Sequence, residues 1–126
     1  MKAFTDISQG KKLAEILPIE SADCYWDYDD LQKYHRISWF EDGYNKESQL
    51  RSNENNICAW SLAALLDVLP KNLDIGRPVL ATNYKGYYWV SYFDEYMKEK
   101  FTSKIYNNPI DACYELILKL YELKIL

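Results

Sequence analysis

Residue types that build metal and nucleotide sites are scarce in this sequence. Histidine occurs once, as His35, and the three cysteines, Cys24, Cys58 and Cys113, are far apart. Structural zinc sites need closely spaced cysteines or histidines, and a phosphate-binding loop needs clustered glycines, whereas the four glycines here are scattered. The sequence therefore predicts no metal site and no cofactor. An odd number of separated cysteines also indicates reduced thiols in a cytoplasm rather than a disulfide framework.

Excess positive charge and long apolar runs are also lacking. Fifteen Lys and Arg stand against 19 Asp and Glu, which leaves a net charge of −4. Nucleic-acid affinity depends largely on neutralising phosphates, so this balance disfavours nucleic acid as a partner. Charged residues interrupt the apolar stretches well short of the ~20 residues that a membrane span requires, and the N-terminus lacks the apolar run of a signal peptide. We expect a soluble cytoplasmic protein with one globular domain over residues 1–126.

Aromatic residues, in contrast, are abundant. The chain has 12 tyrosines and four tryptophans, and aromatic residues make up 16% of it. Rings supply large buried areas in a core, and tyrosine and tryptophan are also enriched where proteins meet their partners. A tyrosine-rich chain without a recognisable catalytic motif favours a binding role over an enzymatic one.

Two segments that end in Leu-Pro have the pattern of helices. The first spans residues 6–17, with Thr5 as its cap and Pro18 as its stop, and Gly10 weakens it by about 1 kcal/mol relative to alanine. The second, "AWSLAALLDVLP", has Ser61 as its cap and is apolar on nearly all sides, which predicts a central, buried helix.

These two helices share a hexamer, "LAEILP" in the first and "LLDVLP" in the second. The similarity favours either a duplicated building block or the ordinary pattern of leucine-rich helices that end at proline. Sliding one half of the chain over the other gives almost no identity beyond the hexamer, so we prefer the second interpretation.

The third helix has the strongest signal, in "NNPIDACYELILKLYELKIL" at the C-terminus. Asn108 lies at the cap, Pro109 at the first helical position and Asp111 in the first turn, all of which favour helix initiation. Most of the remaining circumference is apolar as far as Leu126, so we expect this end of the chain to be packed against the protein.

Strand patterns lie between the helices. "CYWDY" and "YHRISWF" predict one hairpin, and "RPVLATNYKGYYWVSYF" predicts a second with its turn at Asn83–Gly86. "KFTSKIY" adds a further strand, and the polar residues 41–56 indicate a long loop. The expected fold is α+β, in the order α-ββ-α-ββ(β)-α. An antiparallel sheet of four to five strands would carry three helices mainly on one face.

The second hairpin supplies the candidate binding surface. Strand side chains alternate between faces, and both faces of this hairpin are apolar. One interpretation buries Val79, Trp89 and Phe93 and leaves a half-exposed platform of hydroxyl-bearing side chains for a partner, namely Tyr88, Tyr92 and Thr82. The alternative is that helices cover both faces and that the platform does not exist.

Two further functions remain open. A small enzyme could use His35 as a base beside Cys58 as a nucleophile, although a thiol next to an apolar helix is typical of an inert, buried one. "KGYYWVSY" resembles the RNP1 signature of RNA-recognition motifs, which implies single-stranded RNA stacking on Tyr87 and Trp89. Tyr88 departs from that signature, which has Gly or Ala there.

Over about a quarter of its length the chain resembles a group of small uncharacterised proteins from bacterial genomes, prophages and mobile elements. The resemblance rests on "WSLAALLDVLP", which matches a WSLxxLLxxLP segment, and on "NPIDACYELILKL", which matches an NPxDAxxExxxxL helix. It implies an accessory protein of phage or mobile-element origin and assigns no catalytic residue. We expect a non-enzymatic module that engages a protein partner or its own copy, through the tyrosine platform or a sheet edge.

Overall fold

The computed structural model describes residues 1–71 and 76–126, which form two compact units. One unit is Phe4–Ala64, and the other combines Met1–Ala3 with Leu65–Leu126. The helices are α1 (Ile7–Ala14), α2 (Lys46–Leu50), α3 (Leu62–Val68) and α4 (Pro109–Glu122), with a short 3-10 helix at Ile19–Ser21. The strands are β1 (Cys24–Asp29), β2 (Tyr34–Trp39), β3 (Ile57–Ala59), β4 (Arg77–Thr82), β5 (Tyr88–Phe93) and β6 (Glu99–Thr102).

The unit Phe4–Ala64 is built on a three-stranded antiparallel sheet in the order β2-β1-β3. The predicted hairpin of β1 and β2 is confirmed. Its turn is held by the Asp29 side chain, whose Oδ1 accepts hydrogen bonds from the main-chain N–H groups of Leu31 and Gln32. Lys33 adopts a positive φ of 58°, which lets the chain reverse into β2.

Helix α1 packs against β3 through its only glycine. A Cβ atom on Gly10 would lie 2.2 Å from the carbonyl oxygen of Cys58, so only glycine allows this approach. The helix begins at Ile7, one residue later than predicted. Asp6, not Thr5, is the cap, in a capping box with Gln9. Thr5 is instead fully buried, and its hydroxyl accepts a hydrogen bond from the main-chain N–H of Trp60.

The second unit contains a three-stranded antiparallel sheet in the order β4-β5-β6. The predicted hairpin is again confirmed. Its turn is closed by a hydrogen bond from the N–H of Gly86 to the carbonyl oxygen of Asn83, with Gly86 at a φ of 81°. Of "KFTSKIY", residues 100–102 belong to β6, and Tyr106 adds an isolated bridge to Tyr88.

Helix α4 packs against β5 and starts where the sequence predicts. The Oδ1 atom of Asn108 accepts from the N–H of Asp111 at 2.9 Å, and Pro109 occupies the first turn. The helix ends at Glu122, after which Leu123 is exposed and Ile125 and Leu126 are partly buried. Its fully buried side chains form the core of this unit together with two residues of β5: Val90, Tyr92, Ile110, Ala112, Cys113, Leu116, Ile117 and Leu120.

The predicted central helix is less buried than expected. Ser61 does cap α3, since its hydroxyl accepts from the N–H of Ala64. Within Leu62–Val68, however, Leu65 is the one buried residue, and Leu66 is partly exposed. The apolar circumference of this segment therefore did not predict the exposure of α3 correctly.

The α+β class is confirmed, whereas its arrangement differs from the prediction. The six described strands form two sheets of three, not one sheet of four to five. Residues 1–71 and 76–126 contain four α-helices where three were expected, because the polar segment 41–56 contains α2, capped by Asn45. The first helix ends at Ala14 rather than Leu17. A single domain over residues 1–126 stays a prediction.

None of the helices among residues 1–71 and 76–126 has the length and apolar character needed to cross a membrane.

We expect Gly10→Ala to destabilise the protein by roughly 1–3 kcal/mol, because the added methyl group meets main-chain atoms of β3. This sign opposes the intrinsic preference of helices for alanine, which is about 1 kcal/mol. Urea unfolding measures the difference. Ser8→Ala, on the exposed side of α1, is the control and changes stability by about 0.5 kcal/mol or less. A Gly10→Ala variant more stable than the parent contradicts the close contact.

We expect Ile117→Asp to unfold the unit that contains α4, because it buries a carboxylate without a partner at a fully enclosed position. Circular dichroism and near-ultraviolet spectra follow the loss of structure. Tyr121→Asp, at a position of the same helix that is 46% exposed, is the control and leaves the fold intact. A cooperatively melting Ile117→Asp protein contradicts the assigned core.

Candidate functional site

The three residues of the predicted tyrosine platform differ in their exposure. Tyr88, Tyr92 and Thr82 do share a face of the β4–β5 hairpin, because Thr82 pairs with Tyr88 and Pro78 with Tyr92. That face is the one turned to α4, so Tyr92 is fully buried and its hydroxyl donates to the carbonyl oxygen of Pro70 at 2.7 Å. Tyr88 is partly buried, and Thr82 is exposed near the turn.

The opposite face of this hairpin is the more open one. Val79, predicted to be in the core, is 45% exposed, and Trp89 and Phe93 are partly buried. The assignment of faces was therefore reversed. The physical reason is that the hydroxyl of Tyr92 finds a main-chain acceptor inside the protein, which removes the cost of burying it.

His35 and Cys58 lie on opposite faces of the first sheet. His35 pairs with Tyr28 on β1, and Cys58 pairs with Tyr25, three residues away on the same strand. Residues an odd number apart on a strand point to opposite sides, so the imidazole and the thiol cannot approach each other. Burial also raises the pKa of Cys58 to about 11, which keeps it a neutral thiol at physiological pH. This geometry excludes the alternative in which His35 and Cys58 form a catalytic pair.

His35 lies in a shallow cleft of about 280 Å³, beside Tyr28, whose ring centroid is 4.9 Å from the imidazole. Its Nε2 atom lies 2.9 Å from the carbonyl oxygen of Asn55, and a carbonyl can only accept, so Nε2 is the donor. The remaining lining consists of Ile7, Lys11, Glu54 and Ile57. The imidazole thus serves to hold the loop before β3 in place.

The residues of the RNP1-like segment lie at the turn end of the second hairpin. Tyr87 is 43% exposed just before β5, and Trp89 is partly buried in it. Single-stranded RNA stacking on these rings stays a prediction. No group of three or more potential metal ligands occurs within the described ranges.

The outer edge of β2 is the edge of the first sheet that is open. The sequence predicted binding at a sheet edge without indicating which strand forms it. Phe40 donates its main-chain N–H to the carbonyl oxygen of Asp23, across the β1–β2 ladder. Hydrogen-bonded pairs alternate in an antiparallel ladder, so the N–H and C=O groups of His35, Ile37 and Trp39 point away from β1. Strand β2 ends its sheet, and no described residue bonds to these groups.

The other edges of the same sheet are covered. At β3, the N–H of Thr5 donates to the carbonyl oxygen of Trp60 at 3.0 Å, and α1 lies alongside. Strand β3 is shorter than β1 and pairs only with Cys24–Trp26. Beyond that point, two asparagine side chains bond to the main chain of β1. Asn56 accepts from the N–H of Tyr28, and the Nδ2 of Asn53 lies within 3.5 Å of the Tyr28 carbonyl oxygen.

The two edges of the second sheet are partly protected, β4 by a proline and β6 by side chains of α4 near its end. Pro78 lies within β4 and has no N–H to offer, which is a common protection of an edge strand. Near the end of β6, side chains of α4 bond to main-chain groups. Lys119 donates to the carbonyl oxygen of Thr102, and Glu115 accepts from the N–H of Lys104. Among the described sheet edges, β2 therefore has the longest row of outward main-chain groups, at His35, Ile37 and Trp39, that neither proline nor a described partner interrupts.

The side chains of β2 add an apolar surface to this edge. Ile37 and Trp39 share one face, and Trp39 is 55% exposed although it packs edge-to-face on Phe4. Arg36 is the one formally charged residue in the strand, opposite Asp27 of β1. The sequence does contain a signal for an unprotected edge strand, since "YHRISWF" has no proline and a single formal charge.

We expect the buried thiols to make the protein less stable at alkaline pH. Burial raises the pKa of Cys58 to about 11 and that of Cys113 to about 12, so these thiols stay protonated in the fold while those of the unfolded chain ionise near pH 9. The contribution of these neutral thiols to the free energy of unfolding is complete below about pH 8 and is lost as the pH rises towards 11. The comparison is urea unfolding between pH 8 and 10.5.

The control for this effect is Cys58→Ala, which cannot ionise at this position. Above pH 9 the free energy of unfolding falls with pH in both proteins, and the slope for Cys58→Ala is smaller than that of the parent by about 1.4 kcal/mol per pH unit. Equal slopes in the two proteins would contradict the raised pKa of Cys58.

No protein-family model matches the chain, no curated protein is significantly similar to it, and no solved structure gives a significant match. The comparisons thus assign no family, and the resemblance to small prophage-type proteins stays a prediction.

Proposed function

We propose that this chain is a non-enzymatic protein–protein interaction module that binds an extended protein segment along the outer edge of β2. The observation that carries the proposal is the row of main-chain groups at His35, Ile37 and Trp39, which point away from β1 without a described partner. An extended segment adds to such an edge as a new strand, and its main-chain hydrogen bonds supply affinity without regard to sequence.

Side chains next to the edge supply selectivity. In an added strand, alternate side chains lie beside Ile37 and Trp39 on one face and beside Arg36 on the other. Trp39 is 55% exposed, so a partner that covers its ring removes a large apolar surface from water. Apolar residues at alternate positions of the partner are therefore favoured.

The chemistry of the two candidate catalytic residues also supports a binding role. The Nε2–H of His35 is held by the carbonyl oxygen of Asn55, and Cys58 is a buried thiol with a raised pKa. Both side chains stabilise the sheet and the loop that closes it. An accessory role is likewise what the resemblance to small prophage-type proteins implies.

The test uses a displayed library of seven-residue peptides, selected against the protein at nanomolar concentration. We expect enriched peptides to bind Ile37→Pro at least tenfold more weakly than the parent. The reason is that proline removes an outward N–H that the fold does not use, and proline is tolerated at such edge positions. Fluorescence anisotropy with labelled peptides gives the affinities.

The matched control is Ile37→Val, which keeps the N–H and most of the side chain and binds like the parent. Thermal melting shows that each variant is folded, and Trp39→Ser is the second variant if Ile37→Pro unfolds. Peptides that bind Ile37→Pro as tightly as the parent, or a selection without enrichment, would overturn the proposal.

A further inference from the structure

Strand β2 is self-complementary when two copies run antiparallel with Ile37 opposite Ile37. In that register His35 of one copy faces Trp39 of the other, and Tyr34 faces Phe40. Aromatic pairs directly across an antiparallel ladder are favourable. A two-fold axis repeats each pair, so the exposed ring of Trp39 is covered in both copies.

The charges of the strand fit the same register. Arg36 of one copy faces Ser38 of the other, so no like charges meet within the strand. Just outside it, Lys33 comes level with Glu41 of the second copy, and both residues are exposed. A register centred on Arg36 instead places two guanidinium groups opposite each other, which is unfavourable.

The hydrogen-bonding groups fit as well. The outward residues His35, Ile37 and Trp39 each carry an N–H and a C=O, and a two-fold axis at Ile37 places every one of these groups opposite its complement. Registers centred at the neighbouring residues leave part of the strand unpaired. The edge of β4 cannot do the same, because Pro78 lacks a donor.

We infer that the chain forms a homodimer in which the β2 edges of two copies pair antiparallel about Ile37. The two sheets then join into one continuous sheet of six strands in the order β3-β1-β2-β2-β1-β3. This inference rests on the proposed function and names its partner as a second copy of the same chain.

Sedimentation equilibrium over a wide range of protein concentration tests the association. We expect the average mass to rise from 14.9 kDa towards twice that value. Ile37→Pro is expected to stay at 14.9 kDa, whereas Ile37→Val, which keeps the main-chain N–H, still forms a dimer. A mass that stays at 14.9 kDa up to millimolar concentration overturns the inference. A dimer that persists in Ile37→Pro overturns it too.

Cysteine cross-linking tests the register. Across the two-fold axis the Ile37 Cα atoms are about 5.5 Å apart, within the range of a disulfide, so Ile37→Cys forms a covalent dimer on mild oxidation. Ser38→Cys is the matched control, since its Cα atoms are roughly 8 Å apart. The native thiols do not interfere, because Cys24, Cys58 and Cys113 are buried. A covalent dimer through Ser38 in place of Ile37 overturns the register.

A charge exchange tests the ends of the paired strands without altering Ile37. Lys33→Glu brings two acidic side chains together at each end, and we expect at least a fivefold weaker dimer at low salt. Adding Glu41→Lys to the same chain restores opposite charges and the parent affinity. Failure of the double variant to recover counts against the pairing. A strictly monomeric parent whose selected peptides still lose affinity for Ile37→Pro refutes the dimer and retains the peptide-binding function.

Discussion

The requirement that every main-chain group of a strand find a hydrogen-bond partner organises the Phe4–Ala64 unit. Each N–H and C=O at a sheet edge costs free energy if it is enclosed without a partner, and attracts another strand if it is open. At β3 the requirement is met by the N–H of Thr5, which donates to the carbonyl oxygen of Trp60, while α1 packs against the carbonyl oxygen of Cys58. Beyond the end of β3 it is met by the side chains of Asn53 and Asn56. No described residue bonds to the outward main-chain groups of β2, and the proposed binding function is based on these groups.

The same sheet shows how a residue can serve packing at the expense of local preference. Gly10 weakens α1 as an isolated helix, yet it permits the contact with the carbonyl of Cys58. That contact lets α1 lie directly on β3 and cover its edge. The hydroxyl of Thr5, one residue before the cap, likewise accepts a hydrogen bond from the main-chain N–H of Trp60. The position of α1 is therefore set by its contacts with β3 and not by the intrinsic helix preference of its residues.

In the second unit, the choice of buried face decides which surface is available to a partner. Both faces of the β4–β5 hairpin carry apolar side chains, so alternation alone could not identify the inner one. Helix α4 covers the face of Val90 and Tyr92, and the hydroxyl of Tyr92 bonds to the carbonyl oxygen of Pro70. This hydrogen bond joins residues 22 positions apart, and no local pattern reveals it.

By itself, the sequence determined those features that depend on neighbouring residues. These are the α+β class, both hairpins, the turn at Asn83–Gly86, and the start of α4 at Asn108 and Pro109, because caps and turns are formed by side chains within a few positions of each other. Only the tertiary structure decided the division into two sheets, the inner face of the second hairpin and the edge that stays open. Those features depend on which distant segments pack together. Many pairings of strands and helices satisfy the same local sequence pattern, and the hydrogen bonds and packing contacts between distant segments decide which pairing is most stable.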